Sequence, residues 1–180
     1  MQNNNKILAI DPGTRHMGVA FLGRGKLLYH GVKNIKGRTG SETLKEGRKL
    51  ISRLIREMRP TVIAHEKTFF GTSPNAALLN LVSDEIRAVA KRLRVPVVGY
   101  APSTVKKFIT GFGHATKKEV AKAIVFWHPE LRVYLTQDRA WKERYHQNMF
   151  DAVALAMMTY LRNATPAERA RRRQPGRRAG

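Results

Sequence analysis

The sequence predicts an α/β protein built on a mixed β-sheet, and three observations carry that expectation. Two short apolar runs, Lys6 to Asp11 and Thr61 to Glu66, each stop abruptly on a carboxylate. Two further extended runs follow the first across glycine-containing turns, and the intervening and later segments repeat apolar residues at helical spacing. A chain of 180 residues that is 42% hydrophobic can bury one good core, so a single domain is expected over 1–161, followed by a basic tail at 162–180 without fixed structure.

Ile7, Leu8, Ala9 and Ile10 leave almost no polar face, as in a central strand covered on both sides. Pro12 and Gly13 then stop the strand, which sets Asp11 where a buried strand meets a turn. A carboxylate there is costly unless something pairs with it. An ordinary turn-initiating Asp-Pro-Gly has the same appearance, so this stretch alone leaves a metal or catalytic role open.

Met17 to Leu22 and Lys26 to Val32, separated by Gly23-Arg24-Gly25, read as an antiparallel meander. Lys33 to Gly40 is a basic loop. Ser41 is the expected N-cap of a crossover helix that buries Leu44, Ile51, Leu54, Ile55 and Met58 and ends at Pro60. The run to Glu66 then repeats the logic of the first strand. If the two strands are parallel neighbours, Asp11 and Glu66 stand side by side at the edge where open α/β sheets hold their ligands.

After Glu66, Phe69 and Phe70 sit in a loop ending in Gly-Thr-Ser-Pro. Rings in a basic protein can stack on bases, or they can pack beneath the loop. A helix with Leu78, Val82, Ile86, Val89 and Leu93 on one face comes next, then a strand over Val95 to Tyr100. Helices are expected over Ser103 to Ile109 and Thr116 to Trp127, the second opened by a capping box of Thr116 and Glu119. Lys117 and Lys118 then stand in a first turn, against the helix dipole, which favours a contact with anions; Lys106 shares that reading, and an ordinary solvated pair is the alternative. Tyr134 to Gln147 is expected to be a charged connection. The last helix, about Asn148 to Leu161, carries an apolar stripe of Phe150, Val153, Ala154, Met157 and Leu161, with Asp151 in its first turn.

Lys and Arg outnumber Asp and Glu by 34 to 13, a formal charge of +21. From Arg162 onward seven arginines oppose one glutamate, +6 of the total, so +15 remains on the body. Such an imbalance is best matched by a polyanion such as nucleic acid. The chain has no cysteine, which removes disulfide and thiolate chemistry. The Met-Gln-Asn-Asn-Asn start lacks the features of a signal peptide and no apolar run is long enough to span a membrane, so a soluble, cytoplasmic protein is expected.

Asp11, Glu66 and Asp151 therefore form the candidate constellation. Three hard oxygen ligands in a cationic protein suit Mg²⁺ or Mn²⁺, and two such ions can activate water and stabilise the leaving oxygen of a phosphodiester.

Several motifs, in order, carry a family resemblance. They are Ile7 to Ala20 with Asp-Pro-Gly-Thr, the strand ending at Glu66 with Phe69-Phe70 and Asn75-Ala-Ala-Leu, and Tyr100-Ala-Pro with Val105-Lys106. Gly111-Phe-Gly-His-Ala-Thr-Lys117 and Asp151-Ala-Val-Ala-Leu-Ala156 complete them. The chain resembles the RuvC-type Holliday junction resolvases over most of residues 6 to 161. The resemblance implies an RNase H-like fold and a homodimer, of bacterial or viral source, that resolves four-way DNA junctions by paired symmetric nicks with two metal ions per site. It implies that Asp11, Glu66 and Asp151 are catalytic metal ligands, that Lys106 and Lys117 are basic site residues, and that Phe69 or Phe70 meets distorted bases near the crossover.

One position departs from the family pattern: Asn148 stands where an Asp or His is usual. Asn148 is expected either to offer an oxygen to the site or to cap the last helix, and His146, Glu143 or Asp138 could complete the metal set instead. Two rival classes are weighed. Asp-Pro-Gly-Thr followed by Gly18 also looks like a phosphate loop of actin-like ATPases and sugar kinases, but these need a second domain and a second loop, so no nucleotide cofactor is expected. A non-catalytic module that binds branched DNA would need only the charge.

Overall fold

The computed structural model describes residues 5–67, 74–135 and 140–163, and within them every side chain except those at 74, 140, 141, 143 and 144. Five strands, β1 (Lys6–Asp11), β2 (His16–Gly23), β3 (Lys26–Asn34), β4 (Val62–Glu66) and β5 (Val97–Tyr100), form one sheet in the order β3-β2-β1-β4-β5. The meander β1-β2-β3 is antiparallel, while β4 joins β1 and β5 in parallel. The helices are α1 (Gly40–Met58), α2 (Pro74–Arg92), α3 (Pro102–Thr110), α4 (Lys117–Trp127) and α5 (Ala140–Asn163), with a 3-10 turn at Pro129–Tyr134. The mixed α/β sheet and its parallel pair agree with the sequence-based expectation.

Strand alternation divides the core. Leu8, Ile10 and Ile63 point to one face, where Ile51, Leu54 and Ile55 of α1 and Val82, Ile86 and Val89 of α2 cover them. Ile7, Ala9 and Ala64 point to the other, where α5 lies against the strands and α3 and α4 pack over α5. Each fully buried Leu, Ile or Val side chain contributes about 1.5–3 kcal/mol, so the two cores clamp β1 and β4 from both sides.

Four expectations are corrected. The N-cap of α1 is Thr39 rather than Ser41: its Oγ1 accepts the Glu42 amide at 3.2 Å, because Thr39 and Glu42 have the spacing of a capping pair. The charged connection expected up to Gln147 is helical from Ala140, so α5 starts earlier than expected and Asp151 lies three turns inside it. The same helix runs to Asn163, and Arg162, expected in the tail, stacks its guanidinium 5.3 Å from the Tyr100 ring centroid. Nor does α5 show a simple apolar stripe. From Met149 to Tyr160 every residue except Asp151 is buried, as a helix between a sheet and two other helices must be. The capping box of Thr116 and Glu119 opens α4 as expected.

Candidate metal centre at the sheet edge

Two strand ends set the first two acids. Ile10 pairs with His65 in the parallel ladder, so Asp11 and Glu66 are the next residues at the C-terminal ends of neighbouring strands. By alternation Asp11 shares the face of Ile7 and Ala9, and Glu66 that of Ala64. Both carboxylates therefore turn toward α5. His65, one residue back, points the other way, is buried, and has Nδ1 within 3.3 Å of the Ser83 hydroxyl of α2.

Asp151 arrives from α5 as the partly exposed exception in its buried stretch. Gly18 brings it there. Gly18 is the cross-strand partner of Asp11, and a Cβ on it would lie 1.8 Å from the Asn148 carbonyl oxygen. Only glycine lets the backbone of α5 approach β2 at this point.

The three acids share one field. Burial, then the charges of Asp151 and Glu66, hold the Asp11 carboxyl well above the ordinary range, against the opposing pull of Lys117. Burial and then Asp151 push Glu66 up to about 7, opposed by Lys117 and Lys106. Asp151 itself accepts the Gln147 amide at 3.0 Å and meets the Lys117 ammonium at 3.4 Å. The four-residue spacing of Gln147 and Asp151 becomes readable only when α5 begins at Ala140, which is why sequence reasoning missed Gln147. Lys117 and Lys118 line a cavity of about 240 Å³ together with Tyr134, Gln147 and Phe150, beside Asp151.

The remaining candidates separate. Asn148 is inside α5 and so caps nothing; its Nδ2 donates to the His16 carbonyl at 3.1 Å and fastens the helix to the start of β2. His146 packs its ring 4.8 Å from Tyr134 and 5.3 Å from Tyr145, and burial lowers its basicity, so it belongs to an aromatic cluster. Phe69, Phe70 and Asp138 lie outside the described residues, as does the Glu143 side chain.

The donor set fits a hard divalent cation. Two carboxyls driven toward the neutral form by burial and by the charge of Asp151 are what such an ion relieves, and Lys117, 3.4 Å from Asp151, supplies only one positive charge. Among the described residues no three acids or histidines are already gathered closely enough to form a cage.

A mixed five-stranded sheet with acids from its two central parallel strands and from the helix lying across them defines an RNase H-like core. The model of the crossover junction endodeoxyribonuclease RuvC family matches residues 7–159, and the chain belongs to that family. It is 34% identical over 125 residues to the crossover junction endodeoxyribonuclease RuvC of Parasynechococcus marenigrum, covering 67% of this chain and 81% of that protein. With the Myxococcus xanthus enzyme of the same name the identity is 30% over 168 residues, 90% of this chain and 84% of that one. Among solved structures, Thermus thermophilus RuvC in complex with a Holliday junction substrate is similar with a TM-score of 0.66 and 25% identity, over 85% of this chain and 91% of that one. The yeast mitochondrial Holliday junction resolvase shares the fold, with a TM-score of 0.65 at 16% identity over 86% and 77% of the two chains. Family membership implies an endonuclease that uses divalent metal.

Proposed function

We propose that this protein resolves four-way DNA junctions by paired nicks, with Asp11, Glu66 and Asp151 as the metal-holding catalytic residues. The observation that carries this reading is the convergence of the acids: two parallel strand ends turn toward the one partly exposed residue in the buried stretch of α5. Mg²⁺ or Mn²⁺, two ions per site, would activate the attacking water and stabilise the leaving oxygen of the phosphodiester. The protein contributes position. β1 and β4, clamped by both cores, hold Asp11 and Glu66 at fixed separation, and Asn148 seats α5 so that Asp151 faces them. Lys117 and Lys106, whose charges already oppose those of the acids, hold the phosphate backbone in this reading, with Lys118 beside Lys117 at the cavity.

A four-way junction is two-fold symmetric, so paired nicks call for two sites and hence a homodimer. Leu81, 48% exposed on α2, supports that helix as the contact between protomers. Phe69 or Phe70, which fall between β4 and α2 in the sequence, keeps its proposed role at the crossover. The charge of +21 also suits a module that binds without cutting, but a binding module gains nothing from three repelling carboxylates beside its lysines.

The test compares a synthetic four-way junction with a linear duplex of matching arms, with Mg²⁺ present. The expected result is symmetric nicks on the junction with 5′-phosphate ends and an intact duplex. Junction binding without nicks in either Mg²⁺ or Mn²⁺ would favour the binding module.

A further inference from the structure

Phe112, on the loop joining α3 to α4, is 61% exposed. Exposure of a large ring usually accompanies a loose loop, yet this backbone is tied on both sides. Its amide donates to Thr110 Oγ1 at 3.2 Å, and its carbonyl accepts the Ala115 amide at 3.2 Å. Gly111, at φ +83°, closes α3 with a bond to the Lys107 carbonyl, and Thr110 Oγ1 also donates to the Lys106 carbonyl at 2.8 Å. The ring meets only His114 edge-on, with centroids 5.6 Å apart, among the aromatic contacts of the described residues.

The surroundings are cationic and aromatic. Phe108, at the end of α3, is 39% exposed, Lys107 is exposed beside it, and Lys117 and Lys118 are exposed at the start of α4. The loop runs directly into the first turn of α4, where Lys117 touches Asp151 of the candidate metal centre. Lysines on both sides of a solvent-facing ring match a nucleotide, which offers phosphate to the cations and a flat face to the ring. Because the loop is already fixed, docking a base costs little ordering.

We infer that Phe112 is a stacking platform for an unpaired base of branched DNA at the entrance to the active site. This rests on the proposed junction substrate.

The experiment measures equilibrium binding without divalent metal, for wild type, Phe112→Ala and Phe112→Trp. The ligands are a four-way junction carrying 2-aminopurine at the crossover and a linear duplex of the same length. Loss of one stacked base is expected to weaken junction binding roughly 5- to 150-fold in Phe112→Ala. Duplex affinity is expected to change by less than about twofold, the quenching of 2-aminopurine to be lost, and Phe112→Trp to restore both. An exposed ring leaves the melting temperature of Phe112→Ala unchanged, which separates stacking from misfolding. Unchanged junction affinity would overturn the inference, as would an equal loss on both ligands. Dissociation of a dimer in Phe112→Ala would also overturn it, by assigning the ring to a protein contact. If wild type shows no preference for the junction, the proposed substrate is wrong; if the preference exists but ignores Phe112, only this inference fails.

Discussion

Burial and then the Asp151 charge push the Glu66 carboxyl up from an ordinary 4.5 to about 7. The consequence for stability has a definite sign. Between those values the native protein holds a proton that the unfolded chain releases, so the contribution to stability is full below about pH 4.5 and is lost as pH rises through about 7. Asp11 acts in the same direction. Without divalent metal, the melting temperature is expected to fall between pH 5 and pH 8, and Glu66→Gln is expected to melt higher than wild type at pH 8 by roughly 5 °C while matching it at pH 5. Added Mg²⁺ should erase the difference by stabilising wild type alone. Parallel melting curves at every pH would show that Glu66 is not under electrostatic load.

Among the elements, α5 controls the geometry, and it was also the least legible in the sequence. Asp11 and Glu66 could be read directly, because an apolar run that ends on an acid places that acid at a strand end whatever surrounds it. The segment before Asn148 is charged and aromatic, so it reads as a connection, and only its packing against β2 and β3 reveals a helix. That packing also hid the roles of Gln147 and Asn148, which follow from helical phase and from the close approach at Gly18. Phase is not written in composition when a helix is buried all round. Gly18→Ala places a methyl group against the Asn148 carbonyl and must push α5 off β2, displacing Asp151 from Asp11. A stability loss of about 3 kcal/mol is expected in chemical denaturation, with loss of nicking. Gly47→Ala in α1, where a Cβ meets nothing within 4 Å, is expected to be neutral or to stabilise by up to about 1 kcal/mol. Equal effects of the two substitutions would contradict the close approach.

At the scale of the whole molecule, a charge of +21 surrounds a focus of negative charge. Lysines from α3 and α4 border the acids, while α1 and α2 cover the opposite face of the sheet and join through the Arg48–Glu85 ion pair. No helix among the described residues is long and apolar enough to cross a membrane. Under the proposed assignment binding charge and cutting charge are separate, so the two functions should be independently removable. Asp11→Asn deletes one repelling carboxylate, so affinity for the junction should hold or rise while the metal centre is lost.

The most direct measurement therefore follows nicking and binding of one four-way junction by wild type and Asp11→Asn in Mg²⁺. The expected result is cleavage reduced by at least about a thousandfold in the variant, with junction affinity equal to or tighter than that of wild type. Nicking retained by Asp11→Asn, or lost only together with binding, would contradict the assignment of Asp11, Glu66 and Asp151 as the catalytic metal centre.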